Sequence, residues 1–212
     1  MKLLINGGAV QTICNLYRSR SDLYQYLGFI NTPTTSNREA TLLRQGCREI
    51  HLDNAAYANW SKTRYLNMLR KWKHITSIRV NWVTVLDVVA DSKKTLSLFR
   101  RWQPMITQFP LAFVGQDGCE DMELPWDDFD CFFVGGSTAW KLSRAAQDVA
   151  REAKKLGKKV HIGRVNSQKR LRYAYGLYAD SVDGTGYSKY NKKELIKALE
   201  YVRYLHTQMR LF

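Results

Sequence analysis

The sequence predicts an α/β fold of the compact (β/α)8 TIM-barrel type, and because seven strands are identified, the eighth unit is either missing, irregular, replaced or unrecognised. Short apolar runs alternate with longer segments whose apolar residues recur at helical spacing, and this alternation is typical of a parallel sheet. The chain has 212 residues, which is near the lower size limit for eight such units. No linker or internal repeat divides it, so we expect one domain over residues 1–212.

Short apolar runs predict the strands. In chain order they are Lys2–Ile5, Arg48–Leu52, Trp82–Val89, Leu111–Val114, Cys131–Val134, Val160–Ile162 and Leu177–Val182. Residues 12–30 instead carry apolar and aromatic side chains at helical spacing. That spacing predicts a helix there, and it leaves one strand of an eight-stranded barrel unassigned.

Helices are predicted between most of these strands, at about 40–43, 61–73, 92–105, 138–156, 169–175 and 192–209. Ser92 is placed to cap the helix that it begins, because a serine oxygen can accept from an exposed backbone N–H. Gly176 is a natural stop for the helix that precedes it.

The net charge and the positions of the cysteines indicate which partners and metals the chain is expected to bind. The net charge is +14, which favours a nucleic acid as partner and an anionic membrane second; a basic protein without either stays an alternative. No apolar run approaches the roughly 20 residues of a membrane span, and Met1–Ile5 is too short for a signal peptide, so we expect a cytoplasmic protein. The cysteines are scattered, which predicts no structural zinc, no other metal and no disulfide framework.

Polar residues follow several predicted strands, at or near their C-terminal ends: Asp53, Asp87, Gln116, Gly135, Gly136 and Asp180. In a barrel these ends surround one mouth, where such folds carry their chemistry. Carboxylates, an amide and a glycine turn suit a polar heterocycle such as guanine, and a spare carboxylate could attack a sugar carbon. The alternative is that each aspartate is only a turn residue.

Six segments, in order, resemble motifs of the tRNA-guanine transglycosylase superfamily. Residues 53–57 resemble its D-S-G-G-Y-Q, 85–87 its F-D-E-C-T-P, 113–118 its G-I-V-Q-G-G, 132–137 its A-I-G-G-L, 161–163 its L-M-G-V-G and 178–182 its M-F-D-C-V. The resemblance covers about residues 48–184, and it rests on the ordered set, since no motif is specific alone.

The resemblance implies base exchange without a cofactor. Asp180 would attack C1′ of a guanosine nucleotide and form a covalent intermediate, and Asp53 would be the general acid/base. Asp87 would read the N1–H and amino edge of the base. Gln116 and the backbone of Gly135 and Gly136 would hold its carbonyl.

The sequence also departs from the tRNA enzymes. No cysteine follows Asp180, so their zinc cluster is missing, and Ala56 replaces the second glycine of D-S-G-G. Together with the short chain and the run Gly135–Leu142, these departures resemble the phage and bacterial enzymes of the DpdA type, which insert 7-deazaguanines into DNA. The implied partners are DNA and a free, preQ0-like 7-deazaguanine base, in the host cytoplasm if the gene is a phage gene.

Alternatives stay open. The other functions are the same exchange on tRNA, a non-catalytic nucleic-acid-binding barrel, and a phosphate-binding barrel with a loop at Asn6-Gly7-Gly8. A homodimer stays open as the assembly state. Asp183 is the rival of Asp180 as nucleophile. The candidates for nucleic-acid contacts are Lys141, Arg164, Lys169 and Arg170, which could equally lie on solvated helix faces. His161 is expected to be a packed strand histidine.

Overall fold

Eight buried apolar segments form the strands of a closed parallel barrel in this computed structural model, which describes residues 1–6, 10–35, 39–57, 60–189 and 192–208. The strands are β1 (Lys2–Ile5), β2 (Leu27–Asn31), β3 (Glu49–Leu52), β4 (Arg79–Thr84), β5 (Leu111–Gly115), β6 (Cys131–Val134), β7 (Lys159–Ile162) and β8 (Ser181–Asp183). Each pairs with the next in chain order, and β8 closes the ring on β1. The predicted (β/α)8 class is confirmed, and no unit of the barrel is missing.

Helices surround the barrel. They are α1 (Val10–Ser19), α2 (Ser21–Tyr24), α3 (Glu39–Arg44), α4 (Lys62–Lys73), α5 (Ser92–Trp102), α6 (Thr138–Lys141), α7 (Arg144–Lys155), α8 (Gln168–Gly176), α9 (Thr185–Lys189) and α10 (Lys192–Gln208), with short 3₁₀ turns at Gln103–Met105, Cys119–Asp121 and Trp126–Asp128. None of the helices in the described ranges is long and apolar enough to cross a membrane. Gly7 and Gly8, which belong to the phosphate loop predicted as an alternative, and residue 209 lie outside those ranges.

The helical prediction for residues 12–30 is wrong at its C-terminal end, where β2 lies. All five residues of β2 are buried. A parallel strand that is covered on both faces lacks the alternation of apolar and polar residues that marks a half-exposed strand. Its apolar side chains therefore continued the helical spacing of α1 and α2 without a visible break.

Two helix predictions need smaller corrections. The helix predicted over 138–156 is two helices, because the Ser143 side chain accepts from the Ala146 N–H and starts α7 as a new helix. The cap of α5 is Asp91 and not Ser92, since the Asp91 carboxylate accepts from the Lys94 N–H.

Side chains fill the barrel interior. A buried cluster joins alternate positions of the strands, with Phe133 packed against it: Leu4, Ile30, Trp82, Ala112 and Cys131. The Trp82 ring also contacts His51 and His161. The barrel is therefore a packed core and not a pore, as is general for this fold.

Gly28 has no side chain because the interior has no room for one there. A Cβ on Gly28 would lie 2.4 Å from Leu4 Cδ2. We expect Gly28→Ala to lower the free energy of unfolding by about 1–3 kcal/mol, the usual cost of overpacking a core. Urea unfolding followed by circular dichroism measures this.

Gly176→Ala is the matched control. A Cβ at Gly176, the last residue of α8, would meet no atom within 4 Å. Because alanine is the better helix former, its unfolding free energy should be unchanged or higher by up to about 1 kcal/mol. Equal effects of the two substitutions would contradict the packing described for the barrel interior.

Candidate active site

A cavity of about 90 Å³ opens at the mouth formed by the C-terminal ends of the strands. It brings together most of the residues predicted from sequence, and Asp183 as well: Asp53, Asp87, Gln116, Gly135, Gly136, Lys141, Arg164 and Asp183. Asn54, Tyr57 and Phe133 also line it. The predicted mouth exists, and it holds acids from the ends of β3, β4 and β8.

Asp87 is clamped by two carboxamides. Its Oδ1 accepts from Asn54 Nδ2 at 2.7 Å, and its Oδ2 accepts from Gln116 Nε2 at 2.7 Å. It lies in the loop after β4, which ends at Thr84, and not inside the strand as predicted. Burial raises the pKa of Asp87 to about 6, although both amides oppose that rise.

Gln116 and the glycine pair position other groups. Gln116 Oε1 accepts from the N–H groups of Ala90 and Gly136, each at 2.9 Å, while the Gly135 N–H donates to the Gly115 carbonyl at 3.0 Å. Both glycine N–H groups are thus used inside the protein. The expectation that they hold a base carbonyl is wrong for this conformation.

Asp53 comes directly after β3, as predicted. Its Oδ1 accepts from the Thr84 hydroxyl at 3.2 Å. Burial, followed by the negative charges of Asp183 and Asp87, raises the pKa of Asp53 to about 7. A carboxyl group that titrates near neutral pH is suited to both giving and taking a proton.

Asp183 ends β8 and faces the same cavity. Its Oδ1 accepts from the Arg164 N–H at 3.0 Å and from His161 Nε2 at 3.4 Å. Burial alone would raise its pKa, but the hydrogen bonds from His161 and from the Arg164 N–H hold the pKa of Asp183 below its ordinary value. Among the described residues no hydrogen bond reaches Oδ2, and the Asp183 side chain lines the cavity.

His161 supports that carboxylate from within the barrel. It is fully buried, and burial lowers its pKa, while the hydrogen bond and the charge of Asp183 oppose that shift. A carboxylate oxygen can only accept, so the hydrogen bond to Asp183 requires the proton on Nε2, while Nδ1 lies 2.9 Å from Ser181 Oγ. His161 is therefore a packed strand histidine, as expected, and it also orients an acid at the mouth.

Asp180 lies at the opposite end of the barrel, so its predicted placement is wrong. The strand predicted over Leu177–Val182 begins only at Ser181. Asp180 Oδ2 accepts from the Val160 N–H at 2.7 Å and from Lys154 Nζ at 2.9 Å. It lines a separate cavity of about 440 Å³ with Lys2, and it cannot reach a molecule bound beside Asp53.

The predicted basic residues separate into two groups. Lys141 is buried in the cavity wall and donates to the Gly163 carbonyl, so the helix-face alternative is wrong for it. Arg164 lies in the wall too, stacked 4.3 Å from the centre of the exposed Tyr57 ring, and donates to the Gly136 carbonyl. Arg170 donates to the Arg164 carbonyl, while Lys169 is exposed on α8.

Sequence reasoning missed Asn54 as a functional residue. It is 1% exposed, and its side chain joins Asp87 to the Val85 carbonyl and to the Ala56 N–H. Its position directly after a strand-terminal acid was the available signal. No group of three or more His, Cys, Asp or Glu side chains in the described ranges is arranged to hold a metal ion.

Asp53→Asn tests the electrostatics of the cavity. Because the pKa of Asp53 is raised when the protein folds, its ionisation destabilises the protein above about pH 4 and increasingly up to pH 7. The substitution should raise the unfolding free energy by roughly 4 kcal/mol at pH 8, since one pKa unit is worth about 1.4 kcal/mol, and leave it nearly unchanged at pH 4. An equal effect at both pH values, in urea unfolding, would contradict the raised pKa.

Comparisons with known proteins bear on the fold. No protein-family model matches the chain, and no curated protein matches it either. A soluble mutant of the membrane-associated (S)-mandelate dehydrogenase from Pseudomonas putida is similar in structure, with a TM-score of 0.54 and 14% identity over 100% of this chain and 73% of that one. An oxidized active mutant of (S)-mandelate dehydrogenase has a TM-score of 0.47 at 15% identity over 96% of this chain and 73% of that one. At such identity the likeness shows the barrel fold alone.

Proposed function

We propose that this protein exchanges guanine in DNA for a 7-deazaguanine through a covalent intermediate between an aspartate and the sugar. The observation that supports this best is that one cavity holds three acids, which differ from one another in pKa and in hydrogen bonding. Asp183 has a depressed pKa and an oxygen without a hydrogen-bond partner in the described chain, Asp53 titrates near pH 7, and Asp87 is fixed by two amides.

Asp183 takes the role of nucleophile in this proposal, in place of Asp180. A nucleophilic carboxylate must be ionised and must present a free oxygen, and both conditions hold for Asp183. Asp180 uses its Oδ2 to bind Val160 and Lys154 at the far end of the barrel. The two aspartates therefore differ in their access to the same cavity.

Asp87 serves as the base reader. Each carboxylate oxygen has a second lone pair beyond the one used by Asn54 or Gln116. The N1–H and 2-amino groups of guanine can donate to these two oxygens side by side. A 7-deazaguanine presents the same edge, so one carboxylate can read both the leaving and the incoming base.

The exchange then runs in two displacements. Asp183 Oδ2 attacks C1′, the C1′–N9 bond breaks, and the leaving guanine keeps the electron pair and takes a proton from Asp53. Asp53 next removes the N9 proton of the incoming base. That nitrogen attacks C1′ and releases Asp183, so protons and electron pairs balance over the cycle.

DNA is the proposed polymer because the charge of the chain suits a nucleic acid and because the run Gly135–Leu142 resembles the DpdA type. The net charge of +14 suits phosphate contacts, and Lys169 and Arg170 on α8 follow the loop that carries Arg164. A duplex substrate would have to expose its base by flipping it, at a cost of a few kcal/mol.

Paired substitutions test the nucleophile. Purified protein is incubated with DNA and radiolabelled 7-cyano-7-deazaguanine, and incorporated label is counted. Asp183→Asn should lower incorporation by about a thousandfold or more, since it removes the attacking group. Asp180→Asn is the matched control and should stay within about threefold of wild type, because its side chain lies at the other end of the barrel.

A second readout tests the covalent step. Without an incoming base, wild-type protein quenched in denaturant should carry a DNA adduct on Asp183, detectable by peptide mass spectrometry. Parallel reactions with tRNA decide between the two polymers. Salt-sensitive DNA binding without incorporation or adduct would instead favour the non-catalytic barrel, and loss of incorporation in Asp180→Asn alone would reject Asp183.

A further inference from the structure

Lys141 is a buried cation in the wall of the candidate active site. It is 5% exposed, its Nζ donates to the Gly163 carbonyl after β7, and it lines the cavity with Arg164. The charged groups that act on it are Arg164, Asp183 and Arg170. A lysine is rarely buried, because an ammonium group that leaves water must be compensated. Base exchange as proposed above leaves this cation without a role.

The barrel fixes which side of the cavity is basic. Asp87 follows β4 and Asp183 ends β8, so they lie four strands apart and across the mouth from one another. One wall between them comes from β5 to β7 and carries Lys141 and Arg164. The other comes from β1 to β3 and carries Asp53.

The ends and edges of a guanine ring can be matched to these acidic ends and to the basic wall. With N1–H and the 2-amino group at Asp87, N9 and the sugar point toward Asp183 across the mouth. One long edge then presents O6 and position 7, and the other presents N3. O6 accepts hydrogen bonds, so it favours the wall with Lys141 and Arg164 over the wall with Asp53. The substituent at position 7 therefore faces the basic wall.

We propose that Lys141 selects the incoming base by its substituent at position 7, admitting 7-deazaguanines that carry a hydrogen-bond acceptor and rejecting the cationic aminomethyl form. This inference rests on the proposed function. Nitrile, carboxamide and carboxylate groups can each accept from an ammonium group. An aminomethyl group is itself an ammonium ion at neutral pH, and two like charges in a dry cavity repel strongly.

The test compares kcat/KM for 7-cyano-7-deazaguanine with that for 7-aminomethyl-7-deazaguanine on DNA. At pH 6, where Lys141 carries its charge, wild-type protein should favour the cyano base by about 100-fold or more, since two like charges in a dry cavity repel strongly. Lys141→Met keeps the length of the side chain without its charge, and should reduce that ratio at least tenfold. Lys155→Met, on the exposed end of α7, is the matched control and should leave the ratio unchanged.

The wild-type protein offers a second measurement that needs no variant. Burial and the Arg164 charge lower the pKa of Lys141 to about 7, so the ammonium form is present below that pH and lost above it. The preference for the cyano base should fall between pH 6 and pH 8.5. Asp53 ionises over the same range, and its charge attracts the cationic aminomethyl base as well. The contribution of Lys141 is therefore the part of this fall that is missing in Lys141→Met.

The outcomes separate this inference from the proposed function. If no base is incorporated by wild-type protein, the proposed function fails and the inference fails with it. If exchange occurs but both bases are used equally, or the ratio stays constant in a folded Lys141→Met and across pH, base exchange stands and selection by Lys141 is rejected.

Discussion

The two hydrogen bonds that clamp Asp87 are the interaction on which the mouth of this barrel depends. Asn54 and Gln116 each give a carboxamide N–H to one oxygen, and their own oxygens accept from the backbone of Ala56, Ala90 and Gly136. The network joins the loops after β3, β4, β5 and β6. Its loss would leave a buried carboxylate unsatisfied and would also release the turns that shape the cavity.

Around that clamp the cavity holds three carboxyl groups close together that differ in how readily they ionise. Asp53 and Asp87 are held at raised pKa values by burial, whereas Asp183 is held ionised by the donors His161 and the Arg164 N–H. Such an arrangement costs stability, as functional sites often do. Packing elsewhere offsets that cost, chiefly the apolar layer between barrel and helices.

The sequence was sufficient to predict the fold class and most of the residues that line the cavity. Strand-terminal residues such as Asp53 and Gln116 could be assigned to one mouth, because parallel strands must end together. Sequence reasoning failed where a buried turn has the same apolar composition as a buried strand. Leu177 and Ala179 are buried like strand residues but belong to the turn beneath the barrel, so the strand prediction started early and favoured Asp180 over Asp183. The clamp on Asp87 and the buried state of Lys141 depend on contacts between distant segments, which local spacing does not encode.

In the part of the chain that the structure describes, the packed barrel interior closes the cavity toward the core, so the mouth is the way into it. With Trp82, Phe133 and their neighbours filling the space beneath, nothing can pass through the barrel from one end to the other. In an exchange reaction the departing and arriving bases would have to use the same opening in turn, while the nucleic acid stays attached. The shape of the cavity would then fix the order of the two steps, because the first base must leave the cavity before the second can enter it.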